Sequence, residues 1–193
     1  MKVYSSPNGA AGSTQGEVLC LIPAPKLAAR VHELGEQMSA DHADKSILVL
    51  GVLHGAFVFM ADLVRHFTIP VRCGFVMVSS YGDRTTTSGG VRLKLDATLP
   101  IEGNHVLLVD DIVDTGISTA WLMDHLARKK PASLRLCALL DKPARRRIPV
   151  HIDYVGFEIP DRFVVGYGID CAGLHRELPY VGYISGDEQP SGA

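Results

Sequence analysis

Short apolar runs of strand length alternate along the chain with segments whose apolar residues recur at helical spacing. The runs are rich in Val, Ile and Leu and cover residues 47–52, 71–78, 106–109 and 133–140. The helical segments cover residues 25–40, 57–67 and about 118–130, the last capped by Ser118 or Thr119. Uninterrupted apolar strands are typical of a parallel sheet that is buried on both faces. The pattern predicts an α/β fold, with a doubly wound, mostly parallel sheet flanked by helices and one small appended region.

The segment from Ser79 to Gly90 interrupts this pattern, because its one large apolar residue is Tyr81. Strand-like residues flank it on both sides, and residues 91–95 alternate like an exposed strand. A long, hydroxyl-rich loop between strands is either disordered or a functional lid. We expect a flexible lid at about residues 80–90, with Ser80 and Tyr81 at its start.

The size and composition of the chain are those of a single globular domain. It has 193 residues, 47% of them hydrophobic, which is enough for one sizeable core. Residues 1–16 and 186–193 are mostly small or polar and predict mobile tails around a domain at 17–185. A net charge of −2, from 19 basic and 21 acidic residues, provides no overall basic excess for nucleic acid. No apolar run approaches the roughly 20 residues that span a bilayer, so we expect a cytoplasmic protein without a membrane or nucleic-acid partner.

Neither the cysteines nor the histidines show the spacing of a transition-metal site. The cysteines stand far apart, without a Cys-x-x-Cys pair, at Cys20, Cys73, Cys137 and Cys171. Because three of them border apolar runs, we expect buried free thiols. The basic triplet at 145–147 is expected to form a solvated surface turn rather than an anion site.

Three acidic residues, Asp110, Asp111 and Asp114, closely follow the apolar run 106–109. At an effective dielectric of about 20, two such charges roughly 6 Å apart repel by about 2–3 kcal/mol, so their proximity does not serve stability. A solvated acidic turn at a sheet edge is the alternative for one or two acids. The Thr-Gly turn that follows places the amides of residues 115–119 at the start of a helix, where they can bind phosphate. Carboxylates beside a phosphate cradle indicate a phosphosugar site, where a divalent cation would offset the negative charge.

This stretch resembles the phosphoribosyl-diphosphate (PRPP) binding signature of the type I phosphoribosyltransferases: a hydrophobic strand, two acids, two apolar residues, then Asp-Thr-Gly and a hydroxyl residue. Further blocks in chain order are Leu53-His54-Gly55, Ser80-Tyr81-Gly82, residues 139–143 (LLDKP), 155–160 (VGFEIP) and 163–170 (FVVGYGID). Together they are similar to the hypoxanthine-guanine phosphoribosyltransferases over roughly residues 20–185. The resemblance implies a purine-binding hood at about 155–185, completed by the N-terminal segment. Competing nucleotide motifs fail, since the chain has no Gly-Lys-Ser/Thr loop.

The resemblance also implies roles for the residues that bind PRPP. Asp110 and Asp111 would accept hydrogen bonds from the ribose hydroxyls, and Asp114 would be the catalytic base that takes the N7 proton of the purine. The 5′-phosphate would be held by the amides of Thr115, Gly116, Ile117, Ser118 and Thr119. The diphosphate would be bound by Leu53, His54, Gly55 and Arg176. Asp170 would help to hold Mg²⁺ through water molecules.

For the purine, the resemblance implies stacking on Phe163, donation by Lys142 to the 6-oxo group and contact with the backbone of Val164. Lysine at that position would exclude 6-amino purines such as adenine, because two donors would face each other. Taken singly, Phe163 fits a core aromatic equally well. Lys142 and Arg176 fit surface charges, and Asp170 fits the end of a strand.

The implied activity is purine salvage, in which hypoxanthine or guanine reacts with PRPP, with Mg²⁺, to give inosine or guanosine monophosphate and diphosphate. A homodimer or homotetramer is expected from the same resemblance. The alternative is a regulator of the same fold that senses PRPP or a nucleotide while binding nucleic acid. The relative use of hypoxanthine, guanine and xanthine stays open, as does the effect of His54, where the family commonly has lysine.

Overall fold

The computed structural model describes residues 16–80 and 90–185. The two expected tails and most of the expected lid, including Tyr81, lie outside the described residues. The strands are β1 (Val18–Ile22), β2 (Ile47–Leu53), β3 (Val71–Ser80), β4 (Val91–Leu95), β5 (His105–Val113), β6 (Ser133–Asp141), β7 (Tyr154–Glu158), β8 (Val164–Val165) and β9 (Val181–Ile184). The helices are α1 (Ala24–Asp41), α2 (Phe57–Leu63) and α3 (Ile117–Ala127), with 3-10 turns at Val64–His66 and Pro143–Arg145.

Six strands form one sheet in the order β4-β3-β2-β5-β6-β7. All neighbouring pairs are parallel except β3 and β4, which run antiparallel. The predicted doubly wound, mostly parallel sheet is confirmed. Its central strand β5 lies between β2 and β6, so the acidic stretch leaves the sheet at its middle.

Helices cover both faces of this sheet, because successive side chains of a buried strand point to opposite sides. On β5, Leu107 and Val109 join a core cluster with residues of α1 and α2, such as Leu34 and Phe59. The alternate residues Val106 and Leu108 join a second cluster that includes Leu122 and Leu126 of α3. This double burial is the reason that the central strands read as unbroken apolar runs.

A second sheet contains three strands in the order β1-β9-β8 and is antiparallel throughout. The hood was expected to begin near residue 155, but β7 belongs to the six-stranded sheet, where it pairs with β6. The N-terminal segment does contribute to the small sheet, through β1. The small sheet therefore combines the two ends of the described chain.

The acidic stretch differs from its prediction in two details. Strand β5 continues through Asp110 and Asp111 to Val113, so the first two acids lie within the strand. The expected cap at Ser118 or Thr119 is wrong, because α3 begins at Ile117 directly after Gly116. Gly116 has a left-handed φ of 80°, and a Cβ there would come within 2.4 Å of the Ile148 carbonyl oxygen. Glycine thus makes the turn without a side-chain cap.

The expectation of buried thiols is wrong for two of the four cysteines. Cys137 on the inner strand β6 is buried, and Cys171 is partly buried, but Cys20 and Cys73 are exposed. Cys20 lies on β1, the edge of the small sheet, and Cys73 lies on β3, next to the edge strand β4. An apolar run shows that a strand is present, but it does not show which of its faces a helix covers.

In the part of the chain that the structure describes, no helix is long and apolar enough to cross a membrane.

Candidate active site

Loops from three neighbouring parallel strands meet at the carboxyl edge of the large sheet. Strand β2 ends at the Leu53-His54-Gly55 loop, β5 ends at Val113 before the turn into α3, and β6 ends at Asp141 before Lys142. Ligands of doubly wound sheets bind at this edge. A cavity of about 160 Å³ opens here, lined by Val52, Val78, Asp110, Ile112, Asp114, Thr115, Gly116, Ser118, Thr119 and Leu122.

Two of the carboxyl groups at this edge are held in a desolvated setting. Asp110 is 7% exposed and accepts a hydrogen bond from Thr119 Oγ1 at 3.2 Å. Burial, and next the charge of Asp111, raise the pKa of Asp110 well above its usual value. Burial also raises the pKa of Asp111 to about 6, against a smaller opposing effect of the Arg176 charge. Both groups favour ligands that supply hydrogen-bond donors or positive charge.

The loop after β2 packs directly on Asp111. A Cβ at Gly55 would lie 1.9 Å from Asp111 Oδ2, so only glycine lets the loop approach the carboxylate this closely. The peptide bond between Leu53 and His54 is cis, and His54 is exposed. The structure therefore brings the predicted diphosphate loop beside the predicted ribose carboxylates.

The turn at residues 115–119 is hydrogen-bonded to the segment that follows β6. The Thr115 carbonyl oxygen accepts hydrogen bonds from the amides of Arg147 at 2.9 Å and Ile148 at 3.1 Å. Thr115 Oγ1 accepts one from the Ile117 amide at 3.4 Å. Ser118 and Thr119 then lie in the first turn of α3 and line the cavity. A helix start facing a cavity is a favourable place for an anion.

The carboxyl-bearing residue Asp114 lies at the start of this turn and lines the cavity. Its Oδ1 atom is buried, yet it makes no hydrogen bond within the described residues. The Arg145 side chain approaches it, with Nε 3.6 Å from that oxygen, which is too far for a hydrogen bond. Because a buried acceptor without a donor is costly, such an atom is typical of a ligand site.

The residues expected around the purine lie next to one another. Lys142 is only 4% exposed, so the surface-charge alternative is wrong for it. Its Nζ donates to the Arg162 carbonyl oxygen at 2.7 Å and lies 3.6 Å from Asp161 Oδ1. Phe163 follows Arg162 and is 46% exposed, which excludes a core aromatic. Val164 is buried in β8.

Arg176 and Asp170 form an ion pair beside the loop after β2. Arg176 Nη2 lies 2.6 Å from Asp170 Oδ1, and Nη1 donates to the Gly168 carbonyl oxygen at 2.6 Å. The other Asp170 oxygen accepts from the Gly173 amide at 2.7 Å. A Cβ on Gly168 would come within 2.3 Å of the Gly55 carbonyl oxygen, which shows how closely the two segments pack.

Residues 21–171 match the family model described as the phosphoribosyl transferase domain. The hypoxanthine phosphoribosyltransferase of Haemophilus influenzae is 48% identical over 167 residues, which cover 85% of this chain and 93% of that protein. The chain belongs to the hypoxanthine-guanine phosphoribosyltransferase family. The hypoxanthine-guanine phosphoribosyltransferase of Bacillus subtilis is 40% identical and covers 85% of this chain and 91% of its own length. A crystal structure of a hypoxanthine-guanine phosphoribosyltransferase from Bacillus anthracis superposes with a TM-score of 0.82 at 42% identity, covering 87% of this chain and 98% of that one.

Sequence reasoning missed one inward-facing residue of this family member. Arg146, from the triplet expected to be solvated, pairs with the Asp141 carboxylate and donates to the carbonyl oxygens of Val113 and Asp114. The expectation of a solvated turn is therefore wrong for Arg146, although Arg147 is exposed. A usable signal was the position of the triplet, shortly after β6 at the edge of the sheet where the candidate site residues lie.

Proposed function

We propose that the chain transfers the phosphoribosyl group of PRPP to hypoxanthine or guanine, which gives inosine or guanosine monophosphate and diphosphate. The observation that carries this proposal is the buried Oδ1 of Asp114, which accepts no hydrogen bond within the described residues, beside a cavity lined by the turn at 115–119. The family and the names of the relatives from Haemophilus influenzae and Bacillus subtilis support the same reaction.

PRPP would bind across the turn and the carboxyl pair. The amides of residues 115–119 would hold the 5′-phosphate, and the ribose hydroxyls would donate to Asp111. Asp110, whose pKa is raised by burial, would accept from the ribose hydroxyls beside it. The diphosphate would then lie toward Leu53, His54, Gly55 and Arg176.

In the chemical step, the bond from C1′ to the diphosphate oxygen breaks and a purine nitrogen forms a new bond to C1′. The purine loses its N7 proton as it attacks, and Asp114 would receive that proton. General-base assistance of this kind is worth about 10²–10⁴ in rate. The family's lid would exclude water, which would otherwise capture the cationic sugar.

Mg²⁺ is the proposed cofactor, and the donors at this edge fit it. Within residues 16–80 and 90–185, no group of three or more His, Cys, Asp or Glu side chains is arranged to hold a metal ion. Mg²⁺ needs no such cage, since it commonly binds through one or two carboxylates together with water and substrate oxygens. Asp170 would hold it through water, because both of its oxygens already accept from the protein. When bound, the cation would supply positive charge against the departing diphosphate.

Recognition of the purine would depend on donors that are already oriented. The Lys142 ammonium group has three N–H donors and uses one on the Arg162 carbonyl oxygen, which leaves others for a 6-oxo group. The exposed ring of Phe163 offers a stacking surface worth about 1–3 kcal/mol. The backbone of Val164 would meet the remaining edge of the ring.

Lys142→Met is expected to lower kcat/KM for hypoxanthine by about tenfold or more, because a charged hydrogen bond to the 6-oxo group is lost. Discrimination against adenine should shrink in the same variant, since the repelling donor is gone. Steady-state kinetics with both bases measure the effect, and the exposed Lys45→Met provides the control. An unchanged ratio of hypoxanthine to adenine use would contradict this role.

The experiment that tests the proposed function is a substrate panel. Purified protein is assayed with PRPP, Mg²⁺ and hypoxanthine, guanine, xanthine or adenine, and nucleotide formation is followed. We expect turnover of hypoxanthine and guanine and rejection of adenine. PRPP binding without turnover of any base would instead favour a regulatory protein.

The proposed setting is the cytoplasm, and the proposed assembly is a homodimer or homotetramer. Among the described residues, Cys20, Cys73 and Cys137 form no disulfide, and the first two of these are exposed, which suits a reducing compartment. For the assembly, the support is a group of exposed apolar side chains on adjacent elements, Phe57 of α2, Phe75 of β3 and Leu95 of β4. The side chains of Phe75 and Met60 both lie near Gly51, and Met60 is one helical turn from Phe57 in α2. Leu95 of β4 pairs with Met77 of β3.

A further inference from the structure

The guanidinium group of Arg146 ties together the ends of two neighbouring strands. Its Nε donates to the Asp114 carbonyl oxygen at 2.9 Å, and its Nη2 donates to the Val113 carbonyl oxygen at 3.1 Å. The same Nη2 pairs with Asp141 Oδ1 at the end of β6. The Arg146 side chain is only 17% exposed, so these contacts are largely shielded from solvent.

These contacts join the proposed catalytic base to the proposed purine donor. The Val113 carbonyl oxygen accepts from Arg146 and also from the Lys142 amide at 3.0 Å. Asp141, the ion-pair partner, directly precedes Lys142 in the chain. A single side chain therefore fixes the main chain at Asp114 relative to the residue that would hold the 6-oxo group.

The stem of Arg146 also supports the turn that follows Asp114. A Cβ on Gly116 would lie 2.9 Å from Arg146 Cδ, so the glycine leaves just enough room for the arginine to pass beneath the turn. Arginine suits this position because its planar fork donates in several fixed directions at once, which the single nitrogen of lysine does not. The fork also loses less freedom per bond than a more flexible donor would.

We propose that Arg146 is a positioning residue for catalysis: it holds the Val113–Asp114 main chain so that the Asp114 carboxylate faces the reacting purine. This inference rests on the proposed role of Asp114 as the base. A displacement of about 1 Å in a reacting group can lower the rate about 10²-fold, and we expect a loss of kcat of this size when Arg146 is removed.

Arg146→Ala is therefore expected to lower kcat by about 10²-fold, while the KM for PRPP stays within about threefold of the wild type. Added guanidinium ion at millimolar concentration should restore part of the lost kcat, because it can occupy the vacated position and donate to the same carbonyl oxygens. The matched control is Arg147→Ala, which removes an exposed side chain from the adjacent position. Neither its kcat nor its response to guanidinium should differ from the wild type.

A double-mutant cycle with Asp114→Asn separates this inference from the proposed function. If Arg146 acts through Asp114, the double variant should be no slower than Asp114→Asn alone, because coupled residues are not additive. Losses that multiply, or a kcat of Arg146→Ala within about threefold of wild type, would overturn the positioning role while the base role stands. Normal turnover of Asp114→Asn would overturn the base role itself.

A purely structural role for Arg146 has a different signature. It would raise the KM for PRPP together with the loss of kcat, and guanidinium would give no rescue. Each of these results counts against the inference. If the alanine variant does not fold, Arg146→Lys takes its place in the same cycle, because it keeps the charge and the stem but not the fork.

Discussion

Replacing Asp114 with asparagine is expected to lower kcat by about 10²–10⁴-fold at saturating purine and PRPP. Asparagine keeps the size and polarity of the side chain but cannot accept the N7 proton. The buried Oδ1 of Asp114 makes no hydrogen bond within the described residues, so the change breaks no such bond of that atom. The loss should therefore appear in turnover, with the Kd for PRPP within about threefold of the wild type.

The matched control is Asp124→Asn on α3, because Asp124 is an exposed carboxylate paired with Arg128 on the surface. Steady-state kinetics and equilibrium binding of PRPP are measured for both variants. Near-normal turnover of Asp114→Asn would contradict the base role. Equal losses of kcat and PRPP affinity would instead point to a general disturbance of the turn.

The parallel strands could be predicted because each central strand is buried on both faces and therefore consists of unbroken apolar residues. Strand β5 shows the cause directly, since Leu107 and Leu108 are neighbours in the chain yet enter different core clusters on opposite faces of the sheet. The lateral order of the strands is not contained in this pattern. Strand β2 lies between β3 and β5, and its pairing with β5 joins segments that are distant in the chain.

The clustering of the candidate site residues could be predicted, because the carboxyl ends of parallel strands share one edge of a sheet. The direction of an individual side chain could not be predicted. Adjacent arginines look alike in sequence, yet Arg146 turns inward to Asp141 while Arg147 is exposed. The burial of Lys142 likewise depends on the Arg162 carbonyl oxygen, which approaches it from a later part of the chain.

Replacing Asp111 with asparagine is expected to weaken PRPP binding and, in the same protein, to stabilise the fold above pH 7. Burial raises the pKa of Asp111 from 3.8 to about 6. A group whose pKa is higher in the folded state stabilises the fold fully below its unfolded pKa and loses that contribution as the pH rises through the folded value. Through this group the wild type loses stability as the pH rises from about 4 to about 7, whereas the asparagine variant does not.

Denaturant unfolding of both proteins at about pH 4.5 and about pH 8, on either side of the folded pKa, measures this effect, with Asp124→Asn as the surface control. The free energies of unfolding should be similar at the lower pH, and the variant should be the more stable at the higher pH. PRPP affinity at the higher pH should fall by about ten- to a hundredfold, because an ionised acceptor for the ribose hydroxyls is lost. A variant that is more stable but binds PRPP less tightly would identify Asp111 as a carboxylate that destabilises the fold and serves the ligand. A variant that loses both stability and PRPP affinity would show a structural role for Asp111 instead.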